Sequence, residues 1–365
     1  MHLAVDGTPF CYPMAGIGQY VRSLLDSLAT ERPDWKFTVL APYAPLEPLS
    51  RPNVSHDQVL SRSRSRPSRG WRAWWFDAVL PGAVKRSGAD AFWAASGLAP
   101  IVRPVAPVAL TIFDFTPDRF PETMTASART YRRWNQHHWI RRARWRLPIS
   151  HAVAAEARLA FGVEPDAVVT PGVDRIFLEH RQEQVNPPSR STGYLVVLGT
   201  LEPRKNLAAL AAAVDRLQEE GSWPDGLVLR MVGGKGWRDS PLRASLGRLE
   251  EKGILELTGY LPRAELPSLL AGARALLMPS LYEGFGMPIA EAMAVGCPVV
   301  CSDLAPFREI ACDRAQFHGT GVDEIVEAYR ALLASLPAPG SAPRETRFTW
   351  SDSARRFATT LEGPR

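Results

Sequence analysis

Alternation constrains this chain most. Short apolar segments keep giving way to longer amphipathic ones, and the alternation runs through twice. The first series opens with a strand from His2 to Asp6, a Gly- and Pro-containing turn and a helix starting near Gly16. In that helix Ile17, Val21, Leu24, Leu25 and Leu28 share one face. Segments 37–40, 108–112 and 167–170 have the composition of buried parallel strands. A polar, proline-containing stretch over 181–192 reads as a linker. The second series then begins with a strand over 194–198 and a helix marked by Leu207, Leu210, Val214 and Leu217. Further strands are expected over 227–232, 254–257, 275–278 and 298–301. Two such series predict two Rossmann-like, doubly wound α/β domains, 1–180 and 193–345, with 346–365 left over as a terminal segment.

Composition narrows the function classes. At 45% hydrophobic and 22% charged residues over 365 positions, the chain has ample material for two cores and is not disordered. No run reaches the roughly 18 apolar residues of a membrane span. The start, Met1 to Asp6, lacks the basic lead and apolar stretch of a secretory signal, so a cytoplasmic location is expected. Cys11, Cys297, Cys301 and Cys312 form neither a C-x-x-C pair nor a zinc spacing, which predicts reduced thiols and no metal site.

Charge is uneven. Segments 62–86 and 128–148 together carry fourteen basic residues against one acid, Asp77, and both interleave indoles: Trp71, Trp74 and Trp75, then Trp134, Trp139 and Trp145. Arg beside Trp suits an anionic interface, and the expectation is peripheral contact with the inner face of an anionic membrane. The plainer alternative is a solvated helix face whose indoles point into the core. Nucleic acid is not expected as a partner, because no helix-turn-helix, finger or RNA-binding motif accompanies the charge.

Two segments carry chemistry. In the first, a strand ends near Pro279, a Gly-containing loop follows, and a helix begins near Met287-Pro288. Gly284 and Gly286 allow close approach of the backbone to a ligand. The helix start offers free N–H groups for a phosphate or a sugar hydroxyl. Glu283 stands before that helix and Glu291 eight residues on, within it. Each carboxylate could hold vicinal hydroxyls; both could equally be surface charges at a helix entry. The second segment, Gly199-Thr200-Leu201-Glu202-Pro203-Arg204-Lys205-Asn206, follows a strand directly. Its adjacent cations could neutralise a diphosphate, or simply be an exposed charge pair.

The run E-G-F-G-x-P-x-x-E-A-M-A-x-G-x-P-V-V from Glu283 resembles the E-x7-E signature of retaining glycosyltransferases of family 4, and G-T-L-E-P-R-K-N resembles that family's diphosphate turn. The loop Ala15–Tyr20, Pro171-Gly172-Val173-Asp174, the 233–237 and 259–262 segments and Phe348-Thr349-Trp350 follow in the family's order. The resemblance implies a GT-B fold with an interdomain cleft, and a terminal helix that crosses back to the first domain. It implies a GDP- or UDP-linked sugar as donor, with no cofactor or metal, and a hydroxyl acceptor, lipid-linked or a small molecule, held by the first domain. On the same basis Arg204 and Lys205 would bind the diphosphate within the Gly199-Thr200 turn. Glu283 would contact the transferred sugar, helped by the backbone around Phe285, Gly286 and Met287. Glu291 would hold the ribose, Gly16 and Gly18 would let the first loop lie against the donor, and Tyr260 would lie near the base. The implied product is a cell-surface polysaccharide or glycolipid.

One position departs from the family. Phe113 stands where the resemblance expects His, followed by Asp114, whose carboxylate could serve the cleft or cap the next turn. Phe can neither donate a hydrogen bond nor move a proton. Either the donor lacks the 6-hydroxyl that the His would meet, or the chain binds without turnover. The first reading predicts that GDP-rhamnose or GDP-fucose outperforms GDP-mannose in a transfer assay; a strong preference for the 6-hydroxy donor would remove it.

Overall fold

The computed structural model describes residues 1–14, 16–60, 71–101, 106–180, 193–234, 240–345 and 347–363, without the side chains of residues 72, 240 and 241. Most of the basic run 62–72, the 181–192 linker and Lys235-Gly236-Trp237 therefore lie outside the described residues. The chain divides into two compact units. The first comprises Met1–Gly172 and Phe348–Arg365, and the second Val173–Arg347.

The first unit holds β1 (His2–Asp6), β2 (Lys36–Ala41), β3 (Val54–Gln58), β4 (Ala91–Ala94), β5 (Val108–Ile112) and β6 (Trp145–Pro148). They form one parallel sheet in the order 3-2-1-4-5-6. Strands β1, β4 and β5 are buried almost throughout, which is why they read as continuous apolar runs. The Gly16–Glu31 helix buries Val21, Leu24, Leu25 and Leu28, as the spacing predicts, but Ile17, expected on the same face, lies exposed in the first turn.

The second unit holds β7 (Tyr194–Leu198), β8 (Val228–Val232), β9 (Leu255–Gly259), β10 (Ala275–Met278), β11 (Val299–Ser302) and β12 (Gln316–His318). Their order, 12-11-10-7-8-9, is the same topology met from the other edge. The Leu207–Glu219 and Val322–Ala334 helices cover this sheet with Leu210, Val214, Leu217, Ile325 and Tyr329, all buried in one core. Among the described residues no helix is long and apolar enough to cross a membrane.

Two expectations need correction. Residues 167–170 are not a strand. Val169 N–H reaches Pro148 O at 2.9 Å, but the segment's carbonyls go to side chains: Tyr20 Oη donates to Val169 O (3.0 Å) and Ser353 Oγ to Thr170 O (2.6 Å). The boundary also falls at Val173, earlier than the expected 180. Asp174 is bonded to Arg263, and Phe177 is fully buried beneath the same guanidinium, so these residues belong to the second unit.

The terminal helix, Trp350–Glu362, is part of the first unit's core. Trp350 meets Tyr20 edge to face at 5.7 Å, and Phe357 meets Trp93 at 5.1 Å. Phe357 is completely buried. Phe357→Ala should therefore cost the first unit about 3–5 kcal/mol in urea unfolding. A loss below about 1 kcal/mol would mean that this helix is dispensable to the core.

Candidate active site

In an open parallel sheet, ligands collect beyond the carboxyl ends of the strands where the order reverses. In the second unit that point lies between β7 and β10, and it is occupied by the two segments singled out from the sequence. The Gly199–Asn206 turn leaves β7 and the 279–286 loop leaves β10. The two are joined by backbone, since Leu281 N–H donates to Arg204 O at 2.8 Å.

Glu283 is where the side chains meet. Its Oε2 accepts from Arg204 Nη1 at 2.6 Å, and its Oε1 accepts from Lys205 Nζ and, at 3.1 Å, from Ser280 Oγ. Arg204 Nε donates to Glu202 Oε2 at 2.8 Å, so the guanidinium is held between two carboxylates. All three central groups are largely withdrawn from solvent, with 19%, 12% and 10% of the Arg204, Lys205 and Glu283 side chains exposed. Burial pushes the Glu283 carboxyl up, but Lys205 and Arg204 outweigh it and bring it down to about 2.

Backbone shape makes this packing possible. Gly199 has φ 144°, and a Cβ there would sit 3.1 Å from Lys205 Cε, so the glycine lets the lysine stem fold over the turn. Gly286 has φ 123° and starts the Met287–Ala294 helix; a Cβ there would press on Phe307 at 2.8 Å. Phe285 is buried beside it, and Met287 is half-buried at the first helical position. A Cβ on Gly234 would lie 3.8 Å from the Thr200 methyl, which places Thr200 beside the end of β8.

Glu291 lies in the same helix but has a different partner. Its Oε1 accepts from Arg263 Nη2 at 2.6 Å, and Arg263 Nε donates to Asp174 Oδ2 at 2.5 Å. Burial pushes the Glu291 carboxyl up, with Arg263 opposing. Arg263 follows the Gly259–Pro262 loop that leaves β9, so that loop is tied to the Glu291 helix. Tyr260 in the loop is 63% exposed. The sequence reading missed Arg263; its one available signal was its place just past the 259–262 segment.

In the first unit the reversal lies between β1 and β4. Buried Asp6 takes it, accepting from Thr8 N–H (3.0 Å) and Ser96 N–H (3.2 Å), and burial pushes its carboxyl up. Phe113 and Asp114 follow neighbouring β5. Phe113 packs edge-on against Tyr20 at 5.2 Å, and Asp114 Oδ1 accepts from Thr116 N–H at 2.8 Å, closing the next turn. A Cβ on Gly18 would meet Met14 Sδ at 3.0 Å, whereas none of the unit's atoms crowds Gly16.

Two sheets of this shared order are the GT-B fold. Sucrose-phosphate synthase from Thermosynechococcus elongatus superposes over 99% of this chain and 98% of its own at a TM-score of 0.75 and 17% identity. HepE of Anabaena, in complex with UDP-glucose, does so over 99% of both chains at 0.68 and 16% identity. At such identities the likeness is one of fold.

Residues 179–344 match the family described as glycosyl transferases group 1. O-antigen chain mannosyltransferase B of Escherichia coli is 42% identical over 33% of this chain and 31% of its own length. The MMP alpha-(1->4)-mannosyltransferase of Mycolicibacterium hassiacum is 29% identical over 73% of this chain and 64% of its own. The chain thus spans about a third of the first relative and under two thirds of the second.

The ionisation of Glu283 gives a pH test. Its pKa falls from 4.5 unfolded to about 2 folded, so its contribution is complete above pH ~4.5 and is lost as pH falls through ~2. The shift corresponds to about 3 kcal/mol. The stability difference between wild type and Glu283→Gln should stay level from pH 7 to 5 and shrink between pH 4.5 and 2. Denaturant melts across that range read it; a difference that does not change with pH would contradict the ion cluster.

Proposed function

We propose that the protein is a retaining glycosyltransferase that moves a mannose-type or 6-deoxy sugar from a GDP- or UDP-linked donor to a hydroxyl acceptor. The convergence of Arg204 and Lys205 on Glu283 at the β7/β10 reversal carries this reading. A turn that already concentrates two cations is matched to a diphosphate leaving group, whose developing charge it can stabilise once Glu283 gives up its hold on them. The relatives' names, O-antigen chain mannosyltransferase among them, support sugar transfer in polysaccharide or glycolipid synthesis.

In this reading the donor diphosphate takes hydrogen bonds from Arg204 and Lys205, and the backbone N–H groups at the start of the 287–294 helix add to them. Glu283 turns to the hydroxyls of the transferred sugar. The anomeric carbon becomes cation-like as its bond to the β-phosphate oxygen breaks. The acceptor hydroxyl attacks from the same face, and its proton passes to that phosphate oxygen, so configuration is retained. No protein base is needed, and the cationic turn does the work a metal would otherwise do.

The first unit would hold the acceptor. Trp74 and Trp134 are about half exposed within the basic segments, which favours an acceptor presented at an anionic lipid surface over a freely soluble one.

Lys205→Ala should lower turnover while leaving acceptor binding nearly unchanged. The expected loss is on the order of 2–4 kcal/mol of transition-state stabilisation, typical of one preorganised donor. Sugar transfer from nucleoside-diphosphate donors, followed for both proteins by released nucleotide, makes the measurement. Wild-type rates in the variant would remove the assignment.

A further inference from the structure

Arg263 stands outside every motif that marked the chain, yet it is the side chain that holds Glu291. The guanidinium bridges two carboxylates with two different nitrogens, Nη2 to Glu291 Oε1 and Nε to Asp174 Oδ2, at 2.6 and 2.5 Å. Its carbon lies 5.2 Å from the Phe177 ring centroid, so a buried aromatic backs it. The three groups come from three separate places: the turn after β9, the Met287–Ala294 helix and the residue beginning the Arg175–Leu178 turn. A planar fork fixed at two ends leaves its third partner little rotational freedom.

Glu291 needs that partner. Only 5% of its side chain is exposed, and burial favours the neutral acid. Oε1 is used by Arg263, while Oε2 accepts no hydrogen bond among the described residues. The charged groups facing the carboxylate are Arg263 and Asp174.

We infer that Arg263 is a positioning residue for the nucleotide: braced by Asp174, it holds Glu291 in one rotamer with Oε2 presented to the ribose hydroxyls of the donor. The inference rests on the transferase reading, in which Glu291 meets the ribose. Arg263 acts through Glu291 and does not itself touch the donor.

Comparing each ribonucleotide with its 2′-deoxy form isolates this contact, because the phosphate's own titration cancels in the ratio. GDP, UDP and their 2′-deoxy forms are titrated calorimetrically into full-length wild type, Arg263→Ala and Arg263→Lys at pH 7. Wild type should prefer one ribonucleotide over its deoxy form by about tenfold, the scale of a well-placed hydroxyl hydrogen bond. Arg263→Ala should bring the preference close to unity, since the unbraced carboxylate no longer holds one rotamer. Arg263→Lys keeps the charge but loses the fork, and should fall between the two. Where Arg263→Ala melts too early to titrate, the lysine variant carries the comparison alone.

A variant that keeps the full preference overturns the role of Arg263 while leaving the transferase reading intact. Wild type that binds GDP or UDP but ignores the 2′-hydroxyl overturns the ribose contact. Wild type that binds neither nucleotide overturns the transferase reading and this inference with it.

Discussion

A carboxylate beneath two cations cannot be left half-made. Desolvating Glu283 alone, or Arg204 and Lys205 alone, would cost several kcal/mol, and only their mutual contact offsets it. The fold supplies that contact through backbone. Leu281 N–H bonded to Arg204 O zips the β10 loop to the β7 turn, and Gly199 gives the Lys205 stem room to lie flat. Charge is therefore concentrated before any ligand arrives. A diphosphate entering such a place would exchange one anion for another and would not have to gather scattered cations. This is the sense in which the site is preorganised.

The two units show how little the topology decides. Both sheets run in the order 3-2-1-4-5-6, and both reversals sit at carboxyl ends, yet the two are chemically opposite. In the first, buried Asp6 already takes the N–H groups of Thr8 and Ser96, the donors a phosphate would otherwise use. In the second, the equivalent place carries Arg204 and Lys205. The difference in charge between the two places thus comes from their side chains, the fold being common to both.

Much of this was legible in the sequence, for identifiable reasons. Strands buried on both faces, such as 108–112 and 275–278, announce themselves as unbroken apolar runs. The adjacent cations and the two glutamates are visible because a glycine-bounded turn and a helix start fix their surroundings. Other elements were hidden. Val54–Gln58 is an edge strand of mostly polar, exposed residues, and Gln316–His318 is too short to show a period. Segment 167–170 misled because burial, shared by strands and packed loops alike, was its whole signal. The indoles of the basic segments divide: Trp75 and Trp139 are core residues with bonded N–H groups, while Trp74 and Trp134 stand half in solvent. Arg263 could not be read at all, since its meaning lies in two carboxylates that are distant in sequence.

Phe113 stands where the resemblance expects His, and its neighbours suit an aromatic ring. A histidine there would need a partner for each ring nitrogen, or solvent to replace it. The neighbouring Tyr20 hydroxyl is committed to Val169 O, and the face Tyr20 turns toward residue 113 is its ring, 5.2 Å away and nearly perpendicular. An aromatic hydrocarbon satisfies that contact, with the edge of one ring on the face of the other. The surroundings of Phe113 consequently suit an apolar side chain. Asp114 beside it closes its own turn through Thr116 N–H. Its local fold therefore holds whatever residue precedes it, so the loop can change its chemistry at 113 without losing its shape.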